Sequence, residues 1–183
     1  MKSLFLLFQI YQMKQFWLLL FIFFSALLQA QDKTVFDVAR KGTMSEIKAV
    51  YDKDKSVVNA IDEKGSSMLI LACYRGNHDV AKFLIENGAD LNYVSVNGTA
   101  LMACVFKSEF ELVDELISKK TNVDLTDGNG MTALMLAVQF TNVEMVKKLV
   151  SAGANKALKC KQDKTAFEYA VFSNNEEIIN VLK

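Results

Sequence analysis

The side chains best suited to chemistry in this 183-residue sequence are one histidine and three cysteines. An imidazole can act as a base or bind a metal, and a thiolate can act as a nucleophile or bind zinc. His78 has no cysteine or histidine at metal-ligand spacing around it, and we expect it in a surface turn that opens a helix. Cys160 falls near an exposed turn and is the only candidate for a reactive thiol, whereas Cys73 and Cys104 are expected to pack in the core.

Known catalytic motifs are missing from the sequence. It has no phosphate-binding glycine-rich loop, no Gly-x-Ser-x-Gly turn and no His-Glu-x-x-His motif. Two acidic pairs, Glu109 with Glu111 and Glu176 with Glu177, are expected at helix N-termini, where the helix dipole favours negative charge. The cysteines show no paired spacing, so no disulfide framework is predicted. We predict no enzyme, no cofactor and no metal site, with an enzyme that uses an unrecognised site as the alternative.

A stretch of sequence that occurs twice indicates which secondary-structure elements contain these residues. "NGTALMACVF" begins at residue 97, and "NGMTALMLAVQF" begins at residue 129. Aligning the two stretches on Thr99 and Thr132 also aligns Ser67 before them and Thr165 after them. The intervals between these four residues are 32, 33 and 33. A period of this length is typical of repeat proteins whose units bury their apolar faces only by stacking.

Each repeat unit has the pattern of two short amphipathic helices. Apolar and small residues follow the hydroxyl at helical spacing, and a second apolar group ends in a leucine. The hydroxyl can cap the first helix, Gly88 and Gly153 can end the second, and Asn97-Gly98 and Asn129-Gly130 can form tight turns. We therefore predict an all-α solenoid of about five helix-turn-helix repeats joined by β-turn or hairpin loops. The repeats are expected at about residues 33–61, 62–94, 95–126, 127–159 and 160–183.

The repeat unit resembles the ankyrin repeat, whose signature is T-P-L-H-x-A. The matching stretches are "SMLILA", "TALMAC", "TALMLA" and "TAFEYA", with "ENGADLN" and "SAGANKA" as connections. The chain departs from this signature because it has no proline, and isoleucine, methionine or glutamate replaces the histidine. "VFDVARKGTMSEIKAV" resembles an N-terminal capping repeat with Val38, Ala39 and Ile47 in core positions.

Residues 1–30 differ in composition from the rest of the chain and resemble a signal peptide. Lys2 and Lys14 precede an apolar run over residues 16–28, no acidic residue occurs, and Ala30 offers a cleavage site. We expect a mature domain over residues 31–183 that is periplasmic or secreted, with Met13 as a possible alternative start. An uncleaved membrane anchor is the alternative. Without Lys2 and Lys14, 19 basic and 21 acidic residues remain, a balance that does not favour nucleic-acid binding.

The candidate binding residues lie at the end of each first helix, seven and eight positions after the hydroxyl. Every repeat offers an aromatic residue there, flanked by polar side chains. In ankyrin-repeat proteins this end faces a concave groove that commonly contacts partners, and turn residues lie beside it. The resemblance therefore implies a protein-binding set of Tyr74, Arg75, Phe106, Lys107, Gln139, Phe140, Phe172, Lys64 and Asn129. The alternative is that the rings only pack on one another along the stack.

The sequence and the resemblance together predict a non-enzymatic module that binds a protein partner after export. We expect a monomer without a nucleic-acid partner, with membrane contact only through the signal segment before cleavage. A role as a protective, immunity or inhibitor protein for a partner enzyme is one version of this hypothesis. A membrane-tethered structural spacer is another alternative. The identity of the partner does not follow from the sequence.

Overall fold

The computed structural model describes residues 14–15 and 34–183 of the chain. Lys14 and Gln15 are helical and belong to a separate unit, while Thr34–Lys183 forms one unit. The second unit contains ten α-helices and one 3-10 helix, Lys55–Asn59, and no extended strand is found among the described residues. In chain order the helices are α1 Val35–Lys41, α2 Met44–Lys53, α3 Met68–Arg75, α4 His78–Glu86, α5 Ala100–Lys107, α6 Phe110–Ser118, α7 Ala133–Gln139, α8 Val143–Ser151, α9 Ala166–Ser173 and α10 Glu176–Leu182. The predicted all-α solenoid is confirmed.

Hydroxyl side chains start the first helix of every pair, as their spacing predicts. Ser67, Thr99, Thr132 and Thr165 each precede a first helix and accept a hydrogen bond from the backbone N–H of its third residue. Thr34 caps α1 in the same way and lies one period of 33 residues before Ser67. An N-terminal cap of this kind satisfies N–H groups that have no partner inside the helix. The repeat register therefore includes the capping helix pair α1 and α2.

The core lies between the stacked helices and uses the apolar residues of the repeat. Each first helix contacts the first helix of the neighbouring repeat and the second helix of its own repeat. Val38, Ala39 and Ile47 are buried, which confirms the predicted core of the capping repeat. Leucines recur in the fully buried set along both helix rows, namely Leu69, Leu84, Leu101, Leu112, Leu116, Leu134 and Leu149. No repeat could bury these side chains without its neighbours.

Short turns between repeats, here called fingers, span residues 62–66, 95–98, 127–131 and 160–164. Each finger closes with a backbone hydrogen bond, and isolated antiparallel bridges form at or beside three of them. The last three fingers are also joined to one another, because the backbone N–H groups of Gly128 and Lys161 donate to Val96 and Asn129. Gly98 and Gly130 adopt φ values of 102° and 74°, which favour glycine. These three fingers thus form a continuous edge beside the first helices.

The connections after the second helices differ between repeats. Gly88 and Gly153 both adopt φ values of 88°, as predicted for residues that end a helix. The third repeat has Lys120 at this place, with φ of 62°, and Thr121 follows where the other repeats have alanine. The Thr121 hydroxyl is buried, and no hydrogen-bond partner for it is found within the described chain. The fold tolerates a less favourable connection in the third repeat.

The predicted signal segment, residues 1–30, lies outside the described residues except for Lys14 and Gln15. Among the helices that the structure describes, none is both long and apolar enough to span a bilayer. Cys73 and Cys104 are free and fully buried in first helices, as expected. The hydrogen bond with Cys73 and burial both raise the pKa of the Cys104 thiol well above its ordinary value.

Candidate protein-binding groove

A groove runs along the side of the stack where the first helices meet the fingers. It encloses about 500 Å³ and contains residues of α1, α3, α5, α7 and three fingers. Its floor is largely apolar because Ile70, Leu71, Met102, Ala103 and Leu136 line it. Volumes of this size are within the range of pockets that bind small molecules or inserted side chains. Of the candidate residues, Lys64, Tyr74, Arg75 and Phe106 line this groove.

Three aromatic side chains form a row along this surface, here called the aromatic strip. The Tyr74 and Phe106 ring centroids lie 5.7 Å apart in a stacked arrangement, and Phe106 meets Phe140 edge-on at 5.3 Å. The three side chains remain 45%, 47% and 47% exposed, in that order. Ring packing along the stack and exposure to solvent therefore occur together. Neither interpretation of these residues excludes the other.

The helices that carry Tyr74 and Phe106 end at left-handed caps. Gly76 and Ser108 have φ values of 64° and 58° and reverse the chain directly after the residue pairs of α3 and α5. At Gly76 a Cβ atom would come within 2.4 Å of a Glu109 carboxylate oxygen. The cap in the second repeat therefore favours glycine for both conformation and space.

Basic side chains lie over the rings on this side. The Arg75 guanidinium carbon and the Lys107 Nζ atom lie 6.0 and 5.7 Å from the centroid of the Tyr74 ring. Lys164 lies farther along the stack, with its Nζ atom 4.4 Å from the Phe172 centroid. Such distances allow cation–π attraction, which is weak at exposed sites. The cations stay accessible while their positions are restricted.

The two carboxylates that line the groove accept hydrogen bonds from backbone N–H groups of the fingers. The Asp62 side chain is 8% exposed, accepts a hydrogen bond from Arg40 at 2.8 Å, and accepts two more from finger N–H groups. Asp127 accepts backbone N–H groups of Asn129 and Met131 at 2.8 and 2.9 Å. Both aspartates therefore stabilise turns, and their charge is directed at backbone and arginine donors.

The structure brings together most of the predicted binding residues and separates three of them. Lys64, Tyr74, Arg75 and Phe106 line the groove, and Lys107 and Phe140 contact this group through ring interactions. Gln139 and Asn129 are exposed but lie outside the groove lining. Phe172 is 77% exposed, and no ring contact joins it to the aromatic strip in the described part of the chain. The binding role of all nine residues stays a prediction.

Sequence reasoning missed the N-terminal end of the groove. Arg40 of α1 lies there and closes the first finger through Asp62. The interval of 33 residues from Thr34 to Ser67 was a signal that could have extended the register to α1. The apolar floor was also missed, because helical spacing alone does not distinguish a side chain that points into the core from one that is part of a groove.

Cys160 lies in a finger as expected, but the expectation that it is exposed is wrong. Its side chain belongs to the buried set, with 6% exposure. It occupies the finger position of Asp62 and Asp127, and its sulfur lies 3.3 Å from the Tyr169 hydroxyl oxygen. Burial raises the pKa of the Cys160 thiol, but hydrogen bonds from Tyr169 and from backbone N–H groups outweigh burial and lower it. The contact with Cys160 and burial raise the pKa of Tyr169 to about 12.

His78 is also placed differently from the expected surface turn. It is the first residue of α4, with Nε2 at 2.7 Å from Glu109 and Nδ1 at 3.3 Å from Glu111. Lys82 forms an ion pair with Glu111, which lowers the pKa of that carboxyl group. The four side chains join the second helices of adjacent repeats. The acidic residues lie at helix N-termini, as predicted, and Glu176 and Glu177 occupy the first turn of α10.

The stacked helix pairs, the fingers and the open groove define a helical repeat protein. The sequence matches a family model described as ankyrin repeats (3 copies). The matches cover residues 35–127 and 101–183. Because these ranges cover most of the chain, it belongs to the ankyrin-repeat family. Members of this family are generally modules for protein–protein interaction and generally are not enzymes.

Curated relatives share part of their length with the chain. It is 32% identical over 100 residues to ankyrin repeat and SAM domain-containing protein 6 of Rattus norvegicus, which covers 54% of the chain and 11% of the relative. It is 33% identical over 79 residues to protein fem-1 homolog A-like of Mus musculus, covering 43% of the chain and 12% of the relative. The chain thus spans about a tenth of the length of these relatives.

Proposed function

We propose that this chain is an exported, non-enzymatic protein that binds a partner protein through the groove and the aromatic strip. The observation that carries the proposal is the row of Tyr74, Phe106 and Phe140, which are in contact yet nearly half exposed. Contiguous exposed apolar surface with polar flanks is typical of interaction sites, and aromatic side chains often contribute most of the binding energy. Membership of the ankyrin-repeat family supports the same function.

The strip needs help from the surrounding surface to hold a partner. Burying the exposed halves of three aromatic rings contributes about 2–5 kcal/mol. Association costs an estimated 4–15 kcal/mol in lost freedom of motion. A stable complex therefore requires contacts with the groove floor and the fingers as well. Lys64 and Arg75, which line the groove beside Tyr74, are placed to provide such contacts.

Export is supported by the composition of residues 1–30, with two lysines, an apolar run and no acidic residue. The full-length protein should be expressed in a Gram-negative host, and the cells should be separated into periplasmic, membrane and cytoplasmic fractions. Intact mass spectrometry then measures the mass of the chain in each fraction. We expect a periplasmic chain that lacks about the first 30 residues. A full-length chain in the membrane fraction would instead support the anchored alternative.

The binding proposal can be tested by placing a photocrosslinking amino acid at two exposed positions of the tagged full-length chain. Gln139 lies at the end of α7 beside the strip, whereas Glu144 lies on α8, a second helix. In the source cells, crosslinking from position 139 should give one main adduct with another protein. The same treatment at position 144 should give little or none, because that position lies away from the groove.

The double variant Phe106→Ala, Phe140→Ala then tests the strip itself in the background of the crosslinker at position 139. We expect the adduct to be lost while circular dichroism shows unchanged helix content. The matched control Lys119→Ala, Lys147→Ala changes two exposed residues of the second-helix side and should retain the adduct. Equal adducts from both crosslinker positions, or an adduct that survives the double aromatic variant, would rule out the groove as the binding surface.

A further inference from the structure

Charged residues of the second helices are matched between neighbouring repeats. Lys148 of α8 lies 2.7 Å from Asp114 of α6, and Lys147 lies 2.6 Å from Glu177 of α10. Lys82 of α4 pairs with Glu111 of α6. These three basic side chains on the outer side therefore already have carboxylate partners within the chain. An acidic ligand would have to compete with those carboxylates.

On the groove side Arg40 pairs with Asp62, but three other cations lack this matching. Arg75, Lys107 and Lys164 contact aromatic rings, and no carboxylate of the described residues lies within 4.0 Å of their charged nitrogens. Asp62 and Asp127 are the acidic residues of the groove lining, and their oxygens accept hydrogen bonds from finger N–H groups and Arg40. This side of the stack thus combines the apolar groove floor with three cations that no carboxylate of the described residues pairs with.

From this charge pattern we infer that the groove binds an acidic segment of a partner protein, with carboxylates interspersed among apolar side chains. The inference rests on the proposed function and adds the chemistry of the partner. Carboxylates would meet Arg75, Lys107 and Lys164, while apolar side chains would cover Leu71, Ala103 and the aromatic strip. Such charge complementarity raises association rates and excludes basic partners.

Single-stranded nucleic acid is the other anionic ligand that favours aromatic and basic side chains. Two observations favour a protein segment. The Tyr74 ring stacks on Phe106 and the Phe140 ring meets it edge-on, which leaves less ring surface for stacked bases. The number of unmatched cations is also small for a polyphosphate, whose binding depends on the displacement of many counterions. Nucleic acid is therefore included as a competing outcome of the test.

The test uses the purified chain and four fluorescent probes in anisotropy titrations. Three synthetic peptides of about 12 residues share the same leucine and phenylalanine positions and carry glutamate, serine or lysine between them. The fourth probe is a 12-nucleotide oligothymidylate. We expect the glutamate peptide to bind at least about tenfold more tightly than the lysine peptide, with a difference that shrinks as salt screens the charges.

Charge variants assign the effect to the groove. The triple variant Arg75→Gln, Lys107→Gln, Lys164→Gln keeps the aromatic strip and should weaken binding of the glutamate peptide by about tenfold. The control Lys119→Gln, Lys147→Gln, Lys148→Gln removes the same net charge from the outer side and should leave the affinity within about twofold. A loss of equal size in both variants would indicate an effect of net charge and would overturn the inference.

The remaining outcomes separate this inference from the proposed function. Equal binding of the glutamate and serine peptides, or no binding of any peptide, overturns the acidic segment as the ligand. Tighter binding of the oligothymidylate than of the glutamate peptide overturns it in favour of nucleic acid. In each case the crosslinking experiment at Gln139 still reports independently whether the groove contacts a protein. If that adduct also fails to form, the proposed function fails as well.

Discussion

The two sides of the repeat stack use their charged residues in opposite ways. On the outer side, salt bridges join the second helices of successive repeats, as Lys148 does with Asp114. On the groove side, Arg75 and Lys107 lie over the Tyr74 ring without a carboxylate partner among the described residues. Both sides are built on the same helices and the same core. The difference therefore reflects the choice of exposed residues and not the fold.

Exposed salt bridges contribute little to folding, because solvent screens them and side-chain entropy opposes them. The outer pairs therefore cannot be the main source of stability. Each pair acts locally, because it joins the second helices of two neighbouring repeats. The groove side keeps three aromatic rings nearly half exposed and leaves Arg75 and Lys107 without a carboxylate partner among the described residues. If this comparison is correct, stability should depend on the buried core, and binding should depend on the groove side.

The largest expected effect is the difference in the free energy of unfolding between removing a buried leucine and removing an exposed aromatic ring. Leu112 in α6 is fully buried, so Leu112→Ala should lower the free energy of unfolding by about 2–5 kcal/mol. Phe106 is 47% exposed, and Phe106→Ala should cost about 1–2 kcal/mol from lost ring contacts. Urea denaturation followed by circular dichroism measures both values.

Phe172→Ala is the matched control for that experiment because this ring is 77% exposed and has no partner ring among the described residues. Its effect should stay below about 0.5 kcal/mol. If Phe106→Ala were as destabilising as Leu112→Ala, the aromatic strip would be core packing in the energetic sense. The contrast between the two sides would then be wrong.

The connection of the third repeat offers a change that should raise stability without affecting the groove. Thr121→Ala removes a buried hydroxyl that has no hydrogen-bond partner in the described part of the chain, and alanine is the residue of the other two connections, at Ala89 and Ala154. We expect a gain of about 1 kcal/mol in the free energy of unfolding. Thermal unfolding measures the gain, and the affinity for the glutamate peptide should not change.

Thr121→Ser is the control because it keeps the hydroxyl and removes only the methyl group. This variant should be no more stable than the natural chain. A gain of equal size in both variants would show that crowding, and not the unpaired hydroxyl, makes this connection unfavourable. A change in peptide affinity in either variant would mean that stability and binding are not separate in this protein.

Cys160 allows a similar experiment on the groove side. Asp62 and Asp127 occupy the corresponding places in two other fingers and accept backbone N–H groups there. Cys160→Asp should therefore stabilise the last finger by about 1 kcal/mol at neutral pH, since a carboxylate accepts these bonds more strongly than a thiol. Thermal unfolding at pH 7 checks the gain, with Cys160→Ser as the control that should not be stabilised. A loss of stability in Cys160→Asp would mean that the burial of the charge outweighs the new hydrogen bonds.

The repeat register could be read from the sequence because it depends on local chemistry. A hydroxyl that caps a helix and a glycine at positive φ act over a few residues, so Ser67, Thr99 and Gly88 indicated helix ends correctly. Lys120 shows the limit of this reasoning, since the third repeat closes its second helix at φ of 62° with a lysine where the second and fourth repeats have glycine. Local rules identify the common pattern but not the places where the chain departs from it.

The candidate site was predictable only in part, for a related reason. The repeat register located the aromatic row, but it did not show that Tyr74, Phe106 and Phe140 touch while Phe172 stands apart. Burial of Cys160 was also hidden, because it depends on Tyr169 nine residues later packing over the finger. Contacts between repeats are set by side-chain directions in three dimensions. A one-dimensional pattern contains little information about them.

The smallest expected effect concerns the outer ion pairs and their dependence on pH. Lys82 lowers the pKa of Glu111 from its ordinary value of 4.5. A carboxyl group with a lowered pKa stabilises the folded state above the unfolded-state pKa, and this contribution is lost as the pH falls through the folded-state value. The natural chain should therefore lose stability below about pH 4.5, and Glu111→Gln should lose less over the same range. Urea midpoints between pH 7 and pH 3 measure the difference.

High salt should reduce this difference between the natural chain and Glu111→Gln, because the ion pair is exposed. Lys107→Gln, the groove-side control, should leave the pH dependence unchanged, and an equal change in this variant would remove the contrast between the two sides.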